Sequence, residues 1–105
     1  MPCTKNKIVM NDKYNQYKIT LEHKHNPKEE MLHESVQVEF DNHDNIFSII
    51  EKLQERSLFN DKNQETEFAI GLKMFSEVML RNKENPLFEE FLPAFKDFMK
   101  KLKST

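Results

Sequence analysis

The 105 residues contain one glycine, one cysteine and no tryptophan. With Gly71 as its only glycine, the chain has no phosphate-binding loop, dinucleotide fingerprint or nucleophile elbow of the ordinary kind. Each of those needs several glycines for tight turns and close backbone approach. The lone Cys3 excludes an internal disulfide and any multi-cysteine metal site. Neither sign of charge dominates. The 16 basic side chains meet 18 acidic ones, for a net charge of −2, so no general field draws in nucleic acid or an anionic membrane. No run approaches the roughly 20 apolar residues of a membrane span. The opening MPCTKNKIVMNDK lacks the apolar core of a signal peptide, so the expected location is the cytosol.

What is present is the composition of one globular domain with a well-solvated surface: 32% charged, 37% hydrophobic, mean hydropathy −0.80. The expected organisation is a loose N-terminal arm over residues 1–13 and a single α+β domain over 14–105. Tyr17, Ile19, Leu21 and His23 alternate with polar residues, as do Val36, Val38 and Phe40. Period two predicts two half-buried strands. Between them lies the turn signal Asn26-Pro27. Antiparallel pairing of Tyr17 with Phe40, Ile19 with Val38 and Leu21 with Val36 puts every apolar side chain on one face. A slip of one residue would destroy that arrangement.

The period then changes. Asn42 or Asp44 is placed to cap a helix with Ile46, Phe47, Ile49, Ile50 and Leu53 as its apolar face, ending near Arg56. Asp61 with Gln64 three residues on resembles a capping box and starts a second helix running to about Lys83. Asn85-Pro86 starts a third, with proline at the first position, where its missing N–H costs nothing. Pro93 is expected to interrupt that helix, leaving PAFKDFMKKLK as the last one. The order is β-β-α-α-α, with three to four helices after an N-terminal hairpin.

The stretch FAIGLKMFSEVML (68–80) is apolar over most of its circumference, so the helix around residues 61–83 is expected to be central and buried. At about 100° per residue, Phe68, Leu72, Phe75 and Met79 form the core face, while Ala69, Lys73, Ser76, Glu77 and Leu80 share a narrow wet stripe. Gly71 lies almost opposite that stripe. A glycine inside a helix costs roughly 1 kcal/mol, so its presence is read as the point where another helix or the hairpin crosses most closely.

The runs VEFDNHDNIFSIIEKL and FAIGLKMFSEVMLRNKENPLFEEFLPAFKDFMKKLK resemble a family of small bacterial proteins known as a domain of unknown function. The resemblance covers roughly Tyr17 to Lys103. It implies a bacterial origin and the same α+β layout, and it transfers no functional residue.

Among candidate sites, the four histidines invite a metal reading. In the register above, however, His23 and His25 fall on one face of the sheet, His33 falls opposite Lys24 on the other, and His43 lies beyond the second strand. Metal ligands must converge on one point, so no metal is expected, and nothing implies a cofactor. Asp41, Asn42, His43 and Asp44 suit the end of a strand and the start of a helix. Lys73, Glu77 and Arg81 form i, i+4 pairs along the central helix. With Asp44 they are the candidate polar site, on the rim of a cleft between hairpin and helix. No catalytic motif is found.

The first functional reading is therefore a small binding or regulatory module that self-associates, through its hairpin edges or its Phe-rich C-terminal helices, or binds another protein. The second is a small-molecule-binding protein or enzyme using the cleft. The third is weak nucleic-acid binding through Lys96, Lys100, Lys101 and Lys103, which the charge balance opposes.

Overall fold

The computed structural model describes residues 13–105; the arm expected over residues 1–13 lies, but for Lys13, outside them. The chain forms an α+β fold in the order β1 (Asn15–Leu21), β2 (Val36–Asn42), α1 (Ile46–Glu55), α2 (Lys62–Arg81), α3 (Pro86–Glu89) and α4 (Phe91–Ser104). It divides into two compact units, one ending at Asn45 and the other spanning Ile46–Thr105.

In the first unit the two strands pair antiparallel in the predicted register, Tyr17 with Phe40, Ile19 with Val38 and Leu21 with Val36. The Tyr17 and Phe40 rings lie 5.5 Å apart, the kind of cross-strand pair that holds a ladder together. Asn26 organises the connection. Its side-chain oxygen accepts from the Lys28 and Glu29 N–H groups, and its amide donates to the Met31 carbonyl. At the other end, the Asp44 carbonyl accepts from the Tyr17 hydroxyl at 3.0 Å and from the Asn15 side chain at 3.4 Å. Asn42, buried, accepts from the Asp44 N–H at 2.9 Å and so turns the chain out of β2.

In the second unit α1 buries Ile46 and Leu53 and half-buries Ile49 and Ile50. Phe47, assigned by pattern to the same face, is exposed; at about 100° per residue it falls to one side of the stripe. The helix closes with a left-handed residue, Ser57, at φ 52°. Its N–H donates to the Gln54 carbonyl and the Leu58 N–H to the Leu53 carbonyl, satisfying two orphan acceptors of the last turn. Glycine is the usual residue there, because a Cβ in this conformation costs roughly 1–2 kcal/mol. Ser57→Gly is therefore expected to stabilise the protein by about 0.5–1 kcal/mol, after allowing for glycine's looser unfolded chain. The check is a higher urea midpoint with an unchanged slope.

Asp61 caps α2 by accepting from the Asn63 and Gln64 N–H groups. The Gln64 side chain returns to the Asp61 carboxylate instead of the Asp61 backbone, a variant of the expected box. Asn85 caps α3 by accepting from the Leu87 N–H, with Pro86 at the first position as expected. Pro93 does not break the last helix. The break falls at Glu90, and Pro93 sits in the first turn of α4, where backbone N–H groups have no intrahelical partner to lose.

Helix α2 is the central element of this unit, and its buried side is turned partway from the expected one. Met79 is buried as expected and Phe68 and Leu72 are half-buried, but the most deeply covered positions differ. Glu65, Ala69, Ser76 and Met79 are buried, with Ala69 and Met79 fully so, whereas Phe75 is 44% exposed. Two neighbours account for the rotation. The Gln54 side chain donates to the Thr66 hydroxyl at 3.2 Å, which sets α1 along one flank of α2. Contacts of Phe68 with Phe98 and of Phe75 with Phe91 and Phe95 set α4 along the other. The Arg56 guanidinium closes the triangle by donating to the Leu102 carbonyl at 3.1 Å, a cation at the negative end of α4. The buried ridge of Glu65, Ala69, Ser76 and Met79 lies between these two flanks. Ala69 and Ser76 thus belong to the core and not to a wet stripe.

Gly71 is exposed, and a Cβ built on it meets nothing within 4 Å. The close crossing expected there does not occur among the described residues.

Candidate functional site

The residues proposed as a polar site are accounted for within their separate units. Asp44 belongs to the hairpin unit, with its backbone engaged as above and its carboxylate 3.3 Å from His43 Nε2. Lys73 and Glu77 are half-buried along the flank of α2, and Arg81 is exposed, its Nε donating to the Glu77 carbonyl at 3.4 Å. The buried Ser76 hydroxyl turns back to the Lys73 carbonyl at 3.4 Å, the local bond typical of a mid-helix serine.

The histidines differ from the sequence expectation in one respect. His23 and His33 come together: their rings stack at 5.2 Å, and the His33 N–H donates to His23 Nδ1 at 3.0 Å. The ladder ends at Leu21 and Val36, so beyond it the connection, and not the strand register, places these side chains. His43 instead packs near Tyr14, with ring centroids 5.8 Å apart. Among the described residues no three His, Cys, Asp or Glu side chains are grouped to hold a metal ion.

Open depressions on the helical unit include two formed by described residues. One of about 430 Å³ is lined by the turn from Leu80 to Asn85, and one of about 300 Å³ by Glu51, Gln54, Glu55 and Lys62. Neither lining contains a serine, cysteine or histidine.

The most distinctive feature of the helical unit is aromatic. Phe59 packs edge-on to Phe68, Phe68 to Phe98, and Phe75 to Phe88, Phe91 and Phe95, and Phe95 stacks on Phe98, so the rings form one connected series. Only part of it is sealed. Phe95 is buried, but Phe91 and Phe98 are each 43% exposed beside the half-exposed Phe75. The sequence pattern assigns Phe75 to the core face of α2 and offers the Phe-rich C-terminal helices as one route to self-association. A signal for the exposed set was there in the i, i+7 repeat of Phe91 and Phe98, offset by roughly 70° around the helix from the second repeat of Leu92, Phe95, Met99 and Leu102. One helix cannot bury both repeats against the same neighbour. The hairpin carries exposed apolar side chains of its own at Leu21, Val36 and Val38. No helix among the described residues is long and apolar enough to cross a membrane.

Comparison with solved structures finds a protein of unknown function from Pectobacterium atrosepticum, 35% identical, with a TM-score of 0.77 over 88% of this chain and 99% of that one. No curated protein matches. The family model described as "Domain of Unknown Function with solved-structure structure" covers residues 15–104, the whole of the hairpin and all four helices. The chain belongs to that family, DUF3861.

Proposed function

We propose that this protein acts by binding and not by catalysis, as a self-associating interaction module of the bacterial cytoplasm. The observation that carries the reading is the half-exposed aromatic set Phe75, Phe91 and Phe98 on the helical unit. Contiguous exposed rings are uncommon on monomers and are enriched where proteins meet, because they bury a large area at little entropic cost. The bacterial assignment rests on the Pectobacterium relative, and the reducing compartment on the single cysteine, which cannot form an internal disulfide.

Light scattering on the full chain at tens of micromolar tests the proposal. The expected mass is twice the 12.6 kDa of one chain. A strict monomer would contradict it.

A further inference from the structure

We propose that the second copy docks antiparallel along α4, on the strip Phe91, Ala94, Phe98 and Lys101. This deepens the self-association reading and rests on it. The helix carries two stripes at the three-and-four spacing of helix–helix seams. One, made of Leu92, Phe95, Met99 and Leu102, is buried or half-buried; Phe95 within it packs against Phe75 of α2. The other, Phe91, Ala94, Phe98 and Lys101, is exposed at every position. Such a stripe is the shape a second helix fits, and its small residue, Ala94, leaves room for a large one opposite.

Charge selects the partner and its direction. Glu90 stands at one end of the strip and Lys101 at the other, both exposed, and neither has an ion-pair partner among the described residues. By helical phase, Lys96, Lys100 and Lys103 fall on the opposite flank, while the exposed Asp97 lies at the edge of the strip near its middle, close to its own copy in either direction. The two directions are therefore distinguished by Glu90 and Lys101 at the ends. A parallel copy would set Glu90 beside the partner's Glu90 and Lys101 beside the partner's Lys101. An antiparallel copy sets each Glu90 near the partner's Lys101 and each Ala94 against the partner's Phe98. The strip is thus its own complement about a two-fold axis, the usual symmetry of a homodimer. A uniformly acidic or basic partner would match only one end.

Sedimentation velocity over a dilution series of the full chain tests the arrangement through Glu90→Lys and Lys101→Glu. Both positions are exposed, so neither change disturbs the core. Each variant alone places like charges at both ends of the interface and is expected to weaken self-association about tenfold or more. An equimolar mixture of the two restores both attractive pairs in the heterodimer and is expected to recover association to near the wild-type level. Single variants that associate like wild type, or a mixture no better than its components, would overturn the antiparallel α4 arrangement while leaving self-association standing. A wild-type chain that stays monomeric throughout the series would remove both.

Discussion

Glu65→Ala is expected to destabilise the protein by about 2–3 kcal/mol. Glu65 is 1% exposed, and its carboxylate accepts the Phe59 N–H at 2.9 Å across the connection between α1 and α2. Two losses add. The Phe59 donor is left partly buried without its acceptor, at about 1–3 kcal/mol, and the space of the side chain is only partly refilled. The connection also holds two left-handed residues, Ser57 and Asn60, so it depends on fixed partners. Glu65→Gln keeps an acceptor oxygen in place and is expected to lose about 1 kcal/mol or less. Urea unfolding of the two variants checks both values. Equal losses from Ala and Gln would show that the hydrogen bond contributes little.

Much of the fold was legible because short-range rules decide it. The hairpin register agrees with the alternation, since pairing Tyr17 with Phe40, Ile19 with Val38 and Leu21 with Val36 puts all six on one face and a one-residue slip would not. The starts of α2 and α3 follow from Asp61 and Asn85, whose side chains reach unpaired N–H groups a few residues on. What the sequence hid was rotation about the α2 axis. Hydrophobicity alone ranks Phe68 and Phe75 above Ala69 and Ser76 for the core. Yet a helix with neighbours on two flanks is most deeply covered along the ridge between them, which here holds Glu65, Ala69, Ser76 and Met79. Phe75 then leans onto α4 and stays half in solvent.

The same geometry explains why the candidate site could not be read directly. The polar residues on the expected wet stripe turn out to be packing or flank positions. The exposed apolar patch of the helical unit is made of phenylalanines, a residue type that in isolation reads as core. The His23–His33 stack was hidden for a different reason: both residues lie past the ends of the paired strands, where alternation no longer predicts direction.

All of this depends on the burial of the α2 ridge of Glu65, Ala69, Ser76 and Met79, because that burial leaves Phe75 half in solvent beside Phe91 and Phe98. The direct measurement is urea unfolding of Ala69→Leu beside Gly71→Ala. Leucine and alanine differ little in helix propensity, so any large effect at position 69 reports packing. Ala69 is fully buried, and three added heavy atoms overpack the site, for an expected loss of about 2–3 kcal/mol. At Gly71 an added methyl meets nothing and the helix gains about 1 kcal/mol of propensity, so the midpoint is expected to rise. A neutral Ala69→Leu together with a destabilised Gly71→Ala would place the buried face of α2 on the opposite side and contradict the account.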